Sequence, residues 1–297
     1  MHPEGERRYD EYYAKSIESY RQDICDPIKM RQEPTLAAGL LLCYTTMGSR
    51  PSWTVHLNGA FSLLRSGGWL INPSGFASEV LTVLGIFDLP THTIGRRTPS
   101  PCIWYNFCRF KRGIESISGI PYTLLDLLST IEDPDIEDQL WAWTYVEVST
   151  LAQQRMWNAT RLAGIISARE YQAQRGSNTA KLMHPHHTTK GDISTGVLIQ
   201  DILGTFEVIG NEASHESYDY VWNTLLFPLF IAASQARWLS EVQKTLIDKI
   251  WTKCFTYDGV MIKYYRAPLD LIHELWGGPA RTAKQLAQAR NVEISLF

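Results

Sequence analysis

The segment Leu36-Ala-Ala-Gly-Leu-Leu-Leu-Cys-Tyr44 decides the fold class of this chain, because it is apolar on nearly every side. It follows Pro34, a residue that favours the first turn of a helix, and it ends near Gly48. A helix that is hydrophobic all round belongs inside a protein. We therefore expect a helix here, buried at the centre of a helical core.

The segments on either side of this helix show the same spacing of apolar residues. Before it, Tyr13, Ile17, Tyr20 and Ile24 recur every three or four residues, which indicates one apolar face of a helix. Periodicity, capping residues and prolines predict further helices over residues 52–66, 76–87, 102–110, 121–128, 136–174, 197–209, 218–236, 240–255, 268–276 and, marginally, 281–290.

No stretch alternates polar and apolar residues for long enough to build a sheet, and no repeat or heptad pattern is present. The sequence predicts an all-α protein, a single irregular domain over residues 1–297 with about ten to twelve helices. Its core is expected over residues 10–277. A mobile polar loop is expected at 176–191 and a marginal tail at 280–297.

Composition and charge limit the possible partners. Of the 297 residues, 44% are hydrophobic and 20% are charged, which supplies enough apolar side chains for a core. The net charge of −3 argues against direct nucleic-acid binding, because DNA-binding domains usually carry a basic excess. The most apolar segment, 221–236, is too short to span a membrane. Residues 1–26 lack the pattern of a secretory leader, so we expect an intracellular protein, nuclear or cytoplasmic.

The residues that usually bind metals and cofactors are not arranged for that purpose. The five cysteines are scattered without a Cys-x2-Cys pair, which argues against a disulfide framework and a zinc site. The segment His184-Pro-His186-His187 has no carboxylate or cysteine at ligand spacing. The sequence also lacks a glycine-rich phosphate loop, a serine nucleophile elbow and a His-Glu-x-x-His pattern. We expect no metal and no cofactor.

Three blocks of sequence, in a fixed order, carry a resemblance to a known family. The first is the segment at 36–44 followed by Trp53-Thr-Val-His56-Leu57-Asn-Gly59-Ala60, and the second is Gly119-Ile-Pro-Tyr-Thr-Leu-Leu-Asp126-Leu-Leu128. The third is Phe227-Pro228-Leu-Phe-Ile231-Ala232-Ala233 with the more distant Leu271-Ile-His-Glu274-Leu-Trp276. Together they resemble the fungal-specific transcription factor domain, the helical region that follows the zinc-cluster module in many fungal regulators. The resemblance spans roughly residues 10–277.

The zinc-cluster module itself is absent from this sequence. That module needs six cysteines in a short basic N-terminal segment, and Cys25 is the only cysteine before position 43. The resemblance therefore implies a regulator of a fungal secondary-metabolite pathway that lacks a DNA-binding module of its own. The implied partners are a hydrophobic small molecule or another protein, including a second copy of the chain in a homodimer.

Two other functions remain open at this point. The chain contains ten Trp, fourteen Tyr and ten Phe residues, which can line an apolar pocket. It can then be a cofactor-independent cyclase or isomerase of secondary metabolism, since pocket shape and one acid or base suffice for such reactions. The third interpretation is a regulator that dimerises with full-length relatives and silences them.

The candidate ligand-binding residues are Trp53, His56, Tyr122, Trp143 and Tyr145. If the protein is an enzyme, the catalytic candidates are His56, Asp126 and His273. His56 is preferred because histidine titrates near neutral pH and this one lies beside an apolar face. Each of these residues also has a purely structural interpretation, since large aromatic side chains are usually buried and buried polar groups are usually hydrogen-bonded.

A basic cluster is interleaved with aromatic residues between positions 96 and 112. It consists of Arg96, Arg97, Arg109, Lys111 and Arg112. A solvated edge of the protein is the simplest interpretation, because nothing marks a DNA-recognition helix. The alternative is a surface for an acidic ligand or an acidic partner.

Overall fold

The computed structural model describes residues 3–47, 53–68, 70, 75–179, 193–212, 224–257, 260–278 and 281–297. Within these ranges the chain forms twelve α-helices and two small antiparallel sheets of two strands each, which confirms the predicted all-α class. Two 3-10 helices (Lys29–Arg31 and Ala236–Trp238) and a π-helix (Trp104–Cys108) complete the regular structure of the described residues.

The α-helices are α1 (Pro3–Cys25), α2 (Glu33–Thr46), α3 (Thr54–Ser66), α4 (Gly75–Phe87), α5 (Tyr122–Leu128), α6 (Ile136–Ala142), α7 (Leu151–Thr179), α8 (Thr195–Glu212), α9 (Leu226–Ala233), α10 (Glu241–Phe255), α11 (Lys263–Gly277) and α12 (Ala283–Ala289). The strands are β1 (Thr93–Ile94), β2 (Thr256–Tyr257), β3 (Val260–Met261) and β4 (Ile294–Ser295). In the β1–β4 pair, Thr93 lies opposite Ser295 and Ile94 opposite Ile294.

Two helices organise the packing. Helix α2 packs against α1, α3 and α4, and helix α7 packs against α6, α8 and α9. The buried hydrophobic residues of both groups form one connected cluster that extends from α2 to β4. Its largest fully buried side chains include Trp53, Trp104, Trp157 and Trp251, so the apolar residues serve mainly to hold the helices together. None of the described helices combines the length and apolar character needed to cross a lipid bilayer.

The expectation that α2 is buried on all sides is wrong. Leu36, Leu42 and Cys43 are buried against neighbouring helices, whereas Leu41 and Tyr44 are 60% and 67% exposed. Helix α1 approaches α2 closely at Gly39, where an added Cβ would lie 2.6 Å from the Tyr20 hydroxyl oxygen. Helix α2 therefore lies at the edge of the core.

The predicted continuous helix at 136–174 is also wrong, because the chain leaves the helical conformation at Trp143 and resumes it at Leu151. Residues 143–150 are rich in aromatic and β-branched side chains, which are weak helix formers. Thr150 and Gln153 then exchange hydrogen bonds. The backbone N–H of Gln153 donates to Thr150 Oγ1, and the backbone N–H of Thr150 donates to Gln153 Oε1. This capping box starts a separate helix, α7.

Other boundaries differ less. Helix α7 continues to Thr179, so residues 176–179 are helical where a loop was predicted, and residues 180–192 lie outside the described part of the chain. Of the helix predicted at 218–236, residues 218–223 lie outside the described part, and α9 begins at Leu226 with Pro228 in its first turn. A proline is tolerated there because the first amides of a helix have no partner within the helix. Helix α11 begins five residues before the predicted start and contains Pro268.

The C-terminal segment is an integral part of the fold, so the expectation of a marginal tail is wrong. Its helix, α12, starts with a capping box between Thr282 and Gln285. Beyond α12, Ile294 and Leu296 are 3% and 1% exposed. The adjoining loop approaches closely at Gly95, whose φ of +75° suits glycine and where an added Cβ would lie 2.4 Å from the Val292 carbonyl oxygen.

Candidate ligand-binding cleft

Trp53 and His56 lie in the packed contact around α3. Trp53 is fully buried, and its ring meets the edge of Phe87 with 6.4 Å between centroids. His56 Nε2 lies 2.7 Å from the Tyr13 hydroxyl oxygen on α1. Burial lowers the pKa of His56 below its ordinary value. His56 therefore has a hydrogen-bond partner that links two helices.

Asp126 and Tyr122 fasten α5 to the π-helix. Asp126 Oδ1 accepts a hydrogen bond from Trp104 Nε1 at 2.8 Å, and Oδ2 accepts one from the Phe110 amide at 3.0 Å. The Tyr122 ring stacks on Trp104 with 5.9 Å between centroids. Both oxygens of Asp126 thus hold the backbone and side chains of the π-helix region in place.

Trp143 and Tyr145 contact each other, with 6.2 Å between ring centroids, and Trp143 also contacts α5. Trp143 donates to Thr123 Oγ1 at 3.1 Å, and the Tyr145 ring packs edge-on against Trp157 at 5.5 Å. His273 Nε2 lies 2.7 Å from Asp248 Oδ1 in an exposed pair that joins α10 and α11. The structure does not bring the predicted residues together around one cavity, and their assignment to a ligand site stays a prediction.

Two residues of the basic cluster contact aromatic rings and a hydroxyl group of the protein. The Arg109 guanidinium lies over the rings of Tyr105 and Phe110, 4.8 Å from each centroid. Lys111 Nζ donates to Thr82 Oγ1 at 3.0 Å. Arg109 and Lys111 thus make contacts within the protein. This favours the simpler interpretation of the basic cluster as a solvated edge of the protein.

Metal ligands are not clustered in the described part of the chain. No group of three or more His, Cys, Asp or Glu side chains there could hold a metal ion. The His184-Pro-His186-His187 segment lies outside the described residues. The five cysteines are free thiols.

A cleft of about 470 Å³ lies next to the basic cluster, since Arg96 and Tyr105, the ring under the Arg109 guanidinium, both line it. Its walls come from the loop after α4 with the start of the π-helix, the segment at 129–133 after α5, the C-terminal half of α7, the end of α9 and the start of α12. Apolar side chains of the wall include Pro90, Ile94, Tyr171, Phe230 and Ile231. A second, more open groove of about 770 Å³ lies between α7, α8 and α10 and has mostly polar walls, and a third cavity of about 280 Å³ adjoins Tyr122.

A buried ion pair fixes the loop wall of the 470 Å³ cleft. The Asp88 side chain is fully buried, and its Oδ1 lies 2.7 Å from Arg96 Nη1. Its Oδ2 accepts hydrogen bonds from Ser100 Oγ at 2.9 Å and from the Ile103 amide at 2.8 Å. These contacts hold both ends of the loop between α4 and the π-helix.

The C-terminal segment supports the same loop from behind. Glu293 is 3% exposed, and its carboxylate accepts hydrogen bonds from the Thr54 amide and hydroxyl and, at 2.7 Å, from the Arg97 amide. The Leu296 amide donates to the His92 carbonyl at 2.8 Å. The carboxylate lies at the start of α3, where free amides favour a negative charge.

Glu170 is the acidic side chain on the α7 wall of the cleft. Its Oε1 accepts a hydrogen bond from Gln235 Nε2 at 2.7 Å. Burial raises the pKa of Glu170, although the Gln235 hydrogen bond and the charge of Arg237 oppose the rise. The neighbouring Tyr171 hydroxyl donates to the Pro90 carbonyl at 3.4 Å, and burial raises its pKa to about 12.

The sequence reasoning missed this cleft, although one signal of it was present. Ser167, Glu170, Tyr171 and Gln174 line the cleft and follow the i, i+3, i+4, i+7 spacing of one helix face. A polar stripe of this kind, continuing an apolar face, can be found in a sequence. The loop, α9 and α12 residues opposite it follow no local pattern.

His92 lies behind the loop wall and makes the stability of the fold depend on pH. It is 2% exposed, stacks on Phe227 with 4.7 Å between centroids, and has Thr91 Oγ1 2.8 Å from its Nδ1. Burial lowers the pKa of His92 from 6.5 to about 3. Between these values the unfolded chain binds a proton that the folded chain does not, so stability falls as the pH falls.

We expect His92 alone to reduce the free energy of unfolding by about 2 kcal/mol when the pH is lowered from about 7 to about 5. Urea titrations of the wild type and His92→Gln at both pH values measure this, because the variant should lose that part of the pH dependence. His273→Gln, at an exposed histidine, is the control and should retain it. Equal pH dependence in the wild type and His92→Gln would contradict the argument.

Comparison with known proteins adds no relative to this picture, since the chain matches no protein-family model, no curated protein and no solved structure.

Proposed function

We propose that this chain is a regulatory protein that binds a small molecule in the 470 Å³ cleft, as the resemblance to the fungal transcription-factor regulatory region implies. The cleft is the observation that carries the proposal. It joins apolar side chains with many hydroxyl and charged groups, and such polar groups can orient a bound small molecule. The proposal includes the family resemblance, a role in fungal secondary metabolism and a nuclear or cytoplasmic location.

The positions of the wall residues in the sequence are consistent with a regulatory protein, because a bound ligand would link distant parts of the chain. The walls come from five parts of the chain that are distant in sequence, so a ligand that contacts all five stabilises their common arrangement. A ligand at a hundred times its Kd stabilises the folded state by about 2.7 kcal/mol. In this proposal the ligand-bound state acts through a protein partner, with a homodimer as one form. The uncovered Leu41 and Tyr44 on α2 offer apolar area for such a contact.

One observation favours an enzyme as the second candidate. Glu170 is a carboxyl group with a raised pKa beside an apolar cleft, and this is the environment of a general acid. A cofactor-independent cyclase or isomerase would use Glu170 in place of the sequence candidates His56, Asp126 and His273, none of which lines this cleft.

A single experiment tests both functions. Purified protein is incubated with a metabolite extract of the source organism and recovered by gel filtration, and the retained and altered compounds are identified by mass spectrometry. Retention of an unchanged compound supports the regulator. Conversion of a compound supports the enzyme.

Two variants locate the binding. Ser234→Trp places a large side chain in the cleft and should abolish retention. Gln200→Trp makes the same change in the polar groove between α7, α8 and α10 and should leave retention unchanged. If neither retention nor conversion is found, or if Ser234→Trp retains the same compound as the wild type, the cleft is not the functional site.

A further inference from the structure

We infer that the ligand of the 470 Å³ cleft is an amine, a molecule with a protonated amino group on an apolar body, bound with its ammonium group against Glu170. This inference rests on the proposed function, because it assumes that the cleft binds a small molecule. It follows from the direction in which the hydrogen-bonding groups of the cleft wall donate.

The hydroxyl groups of the cleft wall donate their protons into the protein. Seven of them do so: Thr93 to the Phe87 carbonyl, Thr98 to Thr54 Oγ1, Ser100 to Asp88 Oδ2, Ser129 to the Asp126 carbonyl, Thr130 to the Leu127 carbonyl, Ser167 to the Ala163 carbonyl and Ser234 to the Ile231 carbonyl. A hydroxyl group has one hydrogen, so these oxygens can offer a ligand only their lone pairs. At these seven positions the wall offers acceptors, whereas the Lys284 ammonium group and the Gln174 side-chain amide are donors of the wall.

The amide beside Glu170 is also turned away from the cleft. Gln235 Nε2 donates to Glu170 Oε1 at 2.7 Å and to Ser234 Oγ at 3.2 Å, which uses both of its hydrogens. A carboxylate accepts about four hydrogen bonds, so Glu170 retains capacity for a ligand donor after the bond from Gln235. A ligand that meets Glu170 must bring hydrogen-bond donors of its own.

The charges of the cleft favour a cation. Glu132 is paired with Arg175 at 3.8 Å, and Arg96 is paired with the buried Asp88. Among the described residues, Glu170 and Asp133 form no ion pair, and Lys284 is the remaining cation of the wall.

Lys284 is also engaged, since its Nζ lies over the Tyr171 ring at 5.5 Å from the centroid. Within the wall, two acidic groups thus face one cation that already contacts an aromatic ring, and the charge of Arg237, a residue that does not line the cleft, also acts on Glu170. A bound ammonium group balances this charge, whereas a bound carboxylate adds to it.

The other half of the ligand follows from the apolar wall. Pro90, Ile94 and the Tyr171 ring, which are partly exposed, offer a contact surface for a hydrocarbon or aromatic body. The unpaired Nη2 of Arg96 does not change the chemistry of the ligand, because that atom is buried away from solvent. An amphipathic amine can place its ammonium group against Glu170 and its apolar body against the apolar wall.

Three dansyl probes of similar size test the inference: dansylcadaverine, which carries an ammonium group, the neutral N-pentyl dansylamide, and the anionic dansyl-6-aminohexanoate. Each is titrated by dansyl fluorescence in neutral buffer at physiological ionic strength. We expect dansylcadaverine to bind at least about tenfold more tightly than the other two, as a charge-assisted hydrogen bond allows.

Two isosteric variants assign the preference to one carboxylate. Glu170→Gln should lose the tenfold preference for dansylcadaverine while its affinity for the neutral probe stays the same, which also shows that the cleft is intact. Glu207→Gln removes a carboxylate from the polar groove between α7, α8 and α10 and should leave the preference unchanged. Ser234→Trp should abolish binding of all three probes.

Several outcomes would overturn the inference without touching the proposed function. These are equal affinities for the three probes, a preference that survives Glu170→Gln, and a preference that is lost in Glu207→Gln instead. Absence of binding by every probe also overturns it. In each case the extract experiment reports independently whether the cleft holds a molecule of another class.

Discussion

Replacing Glu293 with alanine is expected to lower the free energy of unfolding by about 4 kcal/mol. The carboxylate is almost fully buried and accepts hydrogen bonds from the Thr54 amide, the Thr54 hydroxyl and the Arg97 amide. Alanine leaves these buried donors without an acceptor at the start of α3. The change is measured by urea denaturation followed by circular dichroism.

Two further variants separate the causes of this effect. Glu293→Gln keeps one acceptor oxygen but removes the charge, so its loss should be about half that of the alanine variant. Glu207→Ala, at an exposed carboxylate on α8, should change the free energy of unfolding by less than about 0.5 kcal/mol. If Glu293→Ala is as stable as Glu207→Ala, the C-terminal segment does not hold the fold together.

Helices with a clear apolar stripe could be predicted from the sequence, whereas the separate start of α7 was missed. The 240–255 prediction matches α10, whose start is marked by the Ser240–Gln243 capping box. The prediction of one helix over 136–174 failed because the apolar periodicity continues through residues 143–150, whereas the backbone there is not helical. There the capping pair of Thr150 and Gln153 was the available signal.

The contacts between the loop after α4 and the C-terminal segment could not be predicted from local sequence patterns. Glu293 contacts Thr54 across 239 positions of sequence and Arg97 across 196. No periodicity records a partner at that distance, so the segment after α12 looked marginal. The same limit applies to the cleft, because its walls meet only after the loop, the segment at 129–133, α7, α9 and α12 have packed together.

The candidate site residues were predicted from the aromatic residues and from the three sequence blocks that carry the family resemblance. Both features are typical of residues in a hydrophobic core. Trp53 is buried in that core, and Asp126 is occupied by Trp104 and the Phe110 backbone. The residues of the cleft are instead serines, threonines and a carboxyl group, which look ordinary in a sequence. Only the spacing of Ser167, Glu170, Tyr171 and Gln174 on α7 placed part of the cleft within reach of prediction.

Replacing Asp88 with alanine is expected to lower the free energy of unfolding by about 3–5 kcal/mol, because it leaves a largely buried Arg96 without its counter-charge. It also removes the acceptor of Ser100 Oγ and of the Ile103 amide. Urea denaturation measures the loss. Dansylcadaverine affinity should fall in the same variant, since these contacts fix the loop wall of the cleft.

A double-mutant cycle isolates the ion pair from these other contacts. Arg96→Met keeps the apolar stem of the side chain without its charge, and in Asp88→Ala/Arg96→Met neither charge remains buried alone. The double variant should therefore be more stable, by at least about 2 kcal/mol, than the sum of the single losses predicts. The exposed pair of Lys15 and Glu11 on α1 is the matched control, with an expected coupling below about 0.5 kcal/mol. If the Asp88 and Arg96 losses add as simply as those of the surface pair, the loop wall is held by its neutral hydrogen bonds and not by the buried charges.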